Sequence, residues 1–293
     1  MLKTLQLVSP TFSDILEPNI EIGKFPDGDS HVVIPQLPEC KGQSVTLFHR
    51  LYPKQNTSLV ALLFIIDSLQ DAGAKEINLI CPYLPYARQD KSKLSGELKA
   101  AYSLCRVLKD SGLNKLITFD CHFLNATGEQ EFASLKIKNL SMGPELVAKA
   151  AEYFKGEDFE VIGPDDGSNY LVKGHGGKSL KKIRKEYLHG KVGYRDIHEI
   201  TGELEVKGKN VLILDDIVSS GGTMIKAMEK VLAAGAKKVG CASTHGLYLF
   251  DCLDKMRQFT QIIFCSDSIA NAQAEVSIKE KLIDLADGGQ KLF

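Results

Sequence analysis

Apolar and polar positions alternate along the chain in two recurring patterns. Short apolar runs bounded by polar or turn-forming residues predict buried strands, and apolar residues spaced three or four positions apart predict amphipathic helices. The predicted strands cover residues 43–50, 75–81, 115–119, 159–163, 211–214, 237–242 and 261–264, and the predicted helices cover residues 58–70, 98–109, 141–154, 224–234 and 277–286. Because strands and helices alternate, the pattern predicts an α/β fold whose sheet is mainly parallel.

One local pattern occurs twice. Residues 69–79 and 232–241 each contain a helix end that stops at a glycine, Gly73 or Gly235, followed by an alanine, a lysine and a strand. The repeat indicates two similar α/β halves, although the same helix-stop solution used twice by chance also explains it. The length of 293 residues suits two domains. We expect these at residues 1–140 and 141–293, and the last helix can pack back on the first domain.

Composition narrows the functional classes. An apolar content of 44% and a charged content of 25% are typical of a soluble globular protein, and a net charge of −1 gives no electrostatic support for a nucleic-acid partner. The first ten residues lack a secretory pattern and no apolar run approaches 18 residues, so we expect a cytoplasmic protein without a membrane span. The seven cysteines are scattered and form no C-x-x-C pair, which predicts buried free thiols.

The richest chemical signal follows strand 211–214. The apolar run ends in Asp215 and Asp216, and a set of small residues then opens a helix: Ser219, Ser220, Gly221, Gly222 and Thr223. Free backbone N–H groups at a helix start bind phosphate. Carboxylates at the carboxyl end of a strand lie where open α/β sheets bind ligands, so they can hold sugar hydroxyls or a metal ion. A plain turn with Asp and Ser as capping residues explains one Asp but not two.

A second cluster follows strand 75–81. Two prolines exclude a helix there, and the resulting loop presents Arg88, Gln89 and Lys91 together, a set that suits a polyphosphate. A solvated charged loop is the alternative.

Three further places combine polar chemistry with a strand end or a turn. Residues 25–30 form a predicted turn between two short strands, and Phe25 beside Asp27 and Asp29 can either form a plain hairpin or stack on a base. His122 and Asp165 each follow a predicted strand, where a ligand-binding role competes with a structural one.

Residues 173–185 combine glycines with lysines and an arginine, and further lysines follow up to Lys191. This composition predicts a mobile basic flap rather than a core element, with a solvated surface as the alternative.

In their order and spacing, these motifs resemble those of the ribose-phosphate diphosphokinase (PRPP synthetase) family. The five landmarks are residues 25–29, 82–91, 120–122, 163–167 and 215–223. The resemblance implies two similar phosphoribosyltransferase-type domains and transfer of the diphosphoryl group of ATP to ribose 5-phosphate. It also implies a homo-oligomer, a dimer or higher, while the charge and the hydropathy give the expectation of no nucleic-acid or membrane partner.

The resemblance also assigns roles to individual residues. Phe25, Asp27, Asp29, Arg88, Gln89 and Lys91 would bind ATP, and His122 and Asp165 would hold Mg²⁺. Asp215 and Asp216 would bind the ribose hydroxyls, and residues 219–223 would bind the 5-phosphate.

The catalytic loop departs from the family pattern. Family members usually carry a Lys-x-Arg pair there, and two registers fit this chain: Lys185-Glu186-Tyr187, in which Tyr187 replaces the arginine, and Lys182-Ile183-Arg184. The prediction is catalysis by Lys185 with Arg184. The missing arginine in the first register also fits a non-catalytic regulatory subunit, and the phosphate loop alone fits a phosphoribosyltransferase.

Overall fold

A computed structural model describes residues 4–92, 94–184, 197–201 and 204–286. The strands are β1 (Leu5–Val8), β2 (Glu21–Lys24), β3 (Ser30–Val33), β4 (Ser44–Phe48), β5 (Glu76–Ile80), β6 (Lys115–Phe119), β7 (Gly128–Phe132), β8 (Leu135–Leu140), β9 (Phe159–Gly163), β10 (Lys178–Ser179), β11 (Lys181–Arg184), β12 (Ile197–Thr201), β13 (Asn210–Val218), β14 (Lys238–Gly246), β15 (Ile263–Ser266) and β16 (Ala274–Val276). The helices are α1 (Gln55–Asp71), α2 (Ala100–Asp110), α3 (Gly143–Tyr153), α4 (Asn169–Lys173), α5 (Gly222–Ala233), α6 (Cys252–Met256) and α7 (Lys279–Ala286).

The chain divides into two compact units. The first ends at Leu140 and also includes the chain from Ile278 onward, and the second is Ser141–Ser277. Each unit is built on a six-stranded sheet, in the order β1-β4-β5-β6-β8-β7 in the first and β10-β9-β13-β14-β15-β16 in the second. Among these pairings only β7 with β8 is antiparallel. The predicted α/β class with mainly parallel sheets is therefore confirmed.

The repeated helix stop has the same geometry in both units. Gly73 and Gly235 adopt φ values of 79° and 86°, which glycine tolerates because it has no Cβ. The carbonyl of Gly73 accepts the amide of Gly42 at 2.7 Å, and that of Gly235 accepts the amide of Gly208 at 2.8 Å. Each amide donor lies two residues before a central strand, so the repeat extends beyond the segment in which the sequence reveals it.

This correspondence matches β4 to β13 residue by residue. Ser44 lies two residues after Gly42 and pairs with Glu76, three residues after Gly73. Asn210 lies two residues after Gly208 and pairs with Lys238, three residues after Gly235. The same offset places His49–Arg50 of the first unit at the position of Asp215–Asp216 in the second. One half therefore carries basic side chains where the other carries two carboxylates.

Both basic side chains are held by contacts within the first unit. His49 is buried, with its ring nitrogens 3.0 Å from Ser9 Oγ and 3.1 Å from the carbonyl of Ser58, and burial lowers its pKa to about 4. Arg50 is also buried and forms an ion pair with Asp14 at 2.5 Å. These contacts give both side chains partners within the first unit.

All the strands and helices predicted from the pattern are present, and β6 and β9 have the predicted bounds. The other ends are shifted by at most three residues, except the carboxyl ends of β13 and β14, which lie four residues beyond the predicted ends. The cysteines are all free and buried as predicted. No helix in the described part of the chain is long and apolar enough to cross a bilayer.

The sequence pattern missed the two edge strands of the first sheet, β1 and β7, and also β8, which lies next to β7. β8 has lysines between its buried apolar residues, and β7 is an exposed edge strand with two glutamates. Neither strand has a continuous apolar run, because each is covered by protein on one side only.

The prediction of a mobile flap from residue 173 was wrong for its first part. Lys173 ends α4, and β10 pairs with β9 within the second sheet. Leu180 is buried, and its amide donates to the carbonyl of Gly163 at 2.9 Å. Only beyond Leu180 does the chain leave this sheet, in the two-stranded antiparallel ribbon of β11 and β12.

Candidate functional site

The two carboxylates of the second unit lie inside a strand. The sequence pattern placed Asp215 and Asp216 at its carboxyl end, but β13 continues to Val218 and pairs Asp215 with Ser243 of β14. Both side chains are buried, with 8% and 3% of the surface exposed. Charged groups are rarely buried so deeply unless they are paired or bind a ligand, and this burial supports a functional role.

Burial also sets the electrostatics of this pair. The pKa of Asp215 is raised well above its ordinary value, first by desolvation and then by the charges of Asp216 and Asp165. Within each residue, a side-chain oxygen accepts the next backbone amide, Asp216 N at 3.0 Å and Ile217 N at 2.8 Å. Three carboxylates that repel one another favour a bound cation or hydroxyl donors.

Residues 219–223, hereafter the phosphate loop, connect β13 to α5. Gly221 has a φ of 77° and accepts the amide of Ile225 at 2.8 Å as α5 begins. Ser220 is exposed, whereas Ser219 and Thr223 are half-buried. The loop thus combines a helix amino terminus with hydroxyl groups, the combination that binds phosphate.

A neighbouring segment that the sequence analysis missed holds the phosphate loop. Residues 247–252, hereafter the support loop, follow β14. The amides of Leu247 and Tyr248 donate to the carbonyl of Val218 at 2.9 and 3.2 Å, and that of Leu249 donates to Ser219 at 2.9 Å. No local sequence signal marks these backbone contacts, because they join segments about 30 residues apart along the chain.

The thiol of Cys252 completes this support. Cys252 is fully buried, and a Cβ added to Gly221 would lie 2.5 Å from its Sγ. Burial raises the pKa of this thiol to about 11, so it stays protonated and unreactive at neutral pH. Gly221 is therefore required both for its backbone conformation and for the room that the thiol occupies.

Asp165 lies in the turn after β9, in the same unit. Its Oδ1 accepts the amide of Gly167 at 2.9 Å, and its carbonyl accepts the hydroxyl of Ser168 at 2.8 Å. The half-buried side chain is thereby fixed near enough to Asp215 to raise the pKa of that residue. The structure brings together the predicted residues at 165, 215 and 216.

The predicted ATP-side loop of the first unit is rigidly held. Thr118 Oγ1 and the amide of Phe119 donate to the carbonyl of Pro82 at 3.0 and 3.1 Å. Tyr86 has a φ of 64° and its hydroxyl bonds to Asn56 Oδ1 in the first turn of α1.

The cationic end of this loop faces solvent. Arg88, Gln89 and Lys91 are exposed, and the Nζ of Lys91 lies 3.9 Å from Asp90. The carbonyl of Gln89 accepts the amide of Ala101 in α2 at 3.2 Å. The predicted cluster is thus presented on an ordered backbone.

His122 follows β6, also in the first unit. It is half-buried, and the preceding backbone is fixed: Asp120, at φ 36°, donates its amide to Leu140 at 2.8 Å, and the amide of Cys121 donates to Asn139 Oδ1 at 3.0 Å.

The predicted aromatic turn joins β2 to β3. Phe25 is 50% exposed and its ring centroid lies 4.9 Å from that of His31. Asp27 and Asp29 are exposed, and Oδ1 of Asp27 accepts the amide of Asp29 at 3.1 Å. The ring has an accessible face.

The catalytic-loop residues are only partly described. The backbone of Lys182 and Arg184 lies in β11, two and four residues beyond the buried Leu180. Lys185 and Tyr187 lie outside the described residues, so both registers stay predictions.

The carboxylates of the second unit fit a hard cation. Asp165 and Asp215 offer the carboxylate oxygens that Mg²⁺ prefers. In the described ranges, no group of three or more potential ligands could hold an ion by itself. Since Mg²⁺ usually keeps several waters and substrate phosphate oxygens, one or two carboxylates are a suitable donor set.

Two family models match the chain. The N-terminal domain of ribose phosphate pyrophosphokinase matches residues 13–112, and the phosphoribosyl transferase domain matches residues 180–259. The second match includes the phosphate loop and the support loop.

Curated relatives match over most of the length. The ribose-phosphate pyrophosphokinase of Methanopyrus kandleri is 32% identical over 262 residues, which is 88% of this chain and 87% of the relative. That of Pyrococcus furiosus is 31% identical over 274 residues, 91% and 92% of the two chains. The crystal structure of phosphoribosylpyrophosphate synthetase from Mycobacterium smegmatis has the same fold, with a TM-score of 0.77, 21% identity and 98% coverage of both chains.

Proposed function

The chain belongs to the ribose-phosphate pyrophosphokinase family, and on that premise we propose that it converts ATP and ribose 5-phosphate into PRPP and AMP. The anomeric oxygen of the sugar forms a bond to the β-phosphorus of ATP, and the bond from that phosphorus to the oxygen of AMP breaks. The phosphate loop carries the proposal, since it offers a helix amino terminus beside two buried carboxylates.

We assign the acceptor sugar to the second unit. The amides and hydroxyls of residues 219–223 bind the 5-phosphate, and Asp215 and Asp216 accept hydrogen bonds from the ribose hydroxyls. Burial of the carboxylates strengthens these bonds because the local dielectric is low. Phosphoryl transfer depends mainly on positioning, and the support loop supplies it by fixing the carbonyls of Val218 and Ser219.

We assign ATP to the polar loops of the first unit. Arg88, Gln89 and Lys91 bind the phosphates, and Phe25 stacks on the adenine, with Asp27 and Asp29 accepting from its amino group. His122 in the first unit and Asp165 in the second are separate candidate ligands for Mg²⁺, which would neutralise phosphate charge when bound. We expect a cytoplasmic protein and, as the family resemblance implies, a homo-oligomer.

The activity is tested by incubating purified protein with ATP, Mg²⁺ and ribose 5-phosphate and quantifying AMP and PRPP. We expect equal amounts of both products and no AMP when the sugar phosphate is omitted. Turnover of PRPP with a nucleobase, and no AMP release, would indicate a phosphoribosyltransferase instead.

The catalytic-loop register is tested with three single variants, K182A, R184A and K185A. We propose that Lys185 and Arg184 neutralise charge on the transferring group, so R184A and K185A should each lower kcat by at least 100-fold, whereas K182A should stay within a few fold of the wild type. The reverse pattern, with K182A inactive and K185A active, would assign the Lys182-Ile183-Arg184 register.

A non-catalytic regulatory subunit is the second candidate, because Tyr187 stands in place of the family's arginine in the Lys185 register. It predicts a protein that binds ribose 5-phosphate, releases no AMP alone and co-purifies with an active relative. Introducing the arginine by Y187R should then create activity.

A further inference from the structure

Phe250 combines two unfavourable properties. It has the largest exposed fraction, 89%, among the large apolar side chains of the described residues. Its φ is 58°, in the left-handed region that residues with a Cβ rarely adopt. A glycine at this position would avoid both the exposed ring and the backbone strain. Strained residues of this kind cluster where a ligand is bound.

The position of Phe250 links it to the phosphate loop. Leu249, the preceding residue, donates its amide to Ser219 at 2.9 Å, and Cys252, two residues further on, lies beneath Gly221. Tyr248 also has a positive φ, 44°, and is half-buried. Phe250 is therefore the exposed tip of a loop whose two sides are fixed to the phosphate loop.

The chemistry of a sugar phosphate leaves a place for such a ring. The phosphate loop and the carboxylates of Asp215 and Asp216 bind polar atoms. The carbon face of a furanose is apolar, and ligand sites usually surround a few polar groups with apolar and aromatic surface. An aromatic ring carried by the support loop, whose backbone is bonded to the phosphate loop, can supply that surface.

We propose that Phe250 is a specificity-determining residue that packs against the carbon face of the bound sugar. The inference rests on the proposed function only in taking ribose 5-phosphate as the ligand of the phosphate loop. It adds a contact from the support loop, and it explains why an exposed aromatic side chain is kept in a strained conformation.

The test measures binding of ribose 5-phosphate alone by calorimetry, without ATP. In F250G, loss of the ring should raise the Kd by roughly three- to tenfold. The Tm of the ligand-free variant should rise by roughly 2–4 °C, because glycine relieves the strain. A merely structural residue would not weaken binding while stabilising the protein. F250Y keeps the ring face and should retain the wild-type Kd.

Two controls separate this contact from other effects. F64A removes another exposed aromatic side chain, on α1 of the first unit, and should leave the Kd unchanged. Inorganic phosphate, measured by competition, should bind equally to F250G and the wild type, because it lacks the sugar.

An unchanged Kd for ribose 5-phosphate in F250G would overturn the proposal. So would an equal loss of phosphate binding, which would indicate that the phosphate loop itself had moved. Wild-type protein that binds no ribose 5-phosphate would also overturn it. Wild-type protein that binds the sugar phosphate but releases no AMP overturns the proposed activity alone, and leaves the Phe250 contact supported by the binding result.

Discussion

Replacing Gly221 by alanine should damage the phosphate loop in two ways. The new Cβ would lie 2.5 Å from Cys252 Sγ, so the loop or the thiol must shift. The φ of 77° adds a penalty of about 1–2 kcal/mol for any residue with a Cβ. A displacement near 1 Å at a substrate-positioning element lowers activity by roughly 100-fold, and we expect that loss in kcat/KM for ribose 5-phosphate.

The steady-state assay with varied ribose 5-phosphate checks this, with G208A as the matched control. Gly208 has a φ of 75°, and no atom lies within 4 Å of a Cβ built there. G208A should therefore lower the Tm through backbone strain alone and leave kcat/KM unchanged. The double variant G221A/C252A removes the overlapping thiol and should recover about tenfold of the activity that G221A loses, while the φ penalty persists.

Equal kcat/KM values for G221A and G208A would refute the reasoning, because they would mean that the loop tolerates the clash. Failure of C252A to rescue G221A would show that backbone strain, and not the contact with the thiol, accounts for the loss.

Three further changes have defined outcomes. D215N should abolish turnover and raise the Tm of the ligand-free protein at pH 8. Because the pKa of Asp215 is raised in the folded protein, the free energy of unfolding of the wild type falls as the pH rises above 3.8. Calorimetry that shows no gain in Tm over the wild type would contradict this. N56A removes the partner of Tyr86 and should raise the KM for ATP by about fivefold without changing that for ribose 5-phosphate; an equal rise in both would contradict it. H49Q should flatten the acid side of the stability profile. The pKa of His49 is lowered from 6.5 to about 4 in the folded protein, so only the unfolded chain takes up a proton between those pH values. The free energy of unfolding of the wild type therefore falls by up to about 3 kcal/mol between pH 6.5 and pH 4. Denaturant titrations at pH 4 and pH 7 measure the difference.

Short sequence patterns were sufficient to predict an element where it has a continuous apolar run or a glycine that ends a helix. The strands β6 and β9 have the bounds that their apolar runs predict, and the glycine stop of α1 is visible in the sequence. Long-range contacts left no such signal. The support loop is defined by amides that reach Val218 and Ser219, and backbone groups are the same in every residue.

The acid pair shows a different limit. From the sequence alone, Asp215 and Asp216 predict the end of a buried strand, because carboxylates are seldom buried. β13 nevertheless runs through them, since pairing with β14 continues beyond them and both side chains are buried. The sequence therefore located the two carboxylates near the carboxyl end of the strand but ended that strand too early.

The matched positions of the two units determine how many sugar phosphates one polypeptide can accept. At the position of Asp215–Asp216, the first unit has His49–Arg50, whose side chains are already occupied by Ser9, Ser58 and Asp14. On the proposed function, the repeated frame therefore supplies a single acceptor site, and we expect saturation at one mole of ribose 5-phosphate per mole of chain. Two units with matching backbone positions thus differ in ligand capacity, because their side chains differ at those positions.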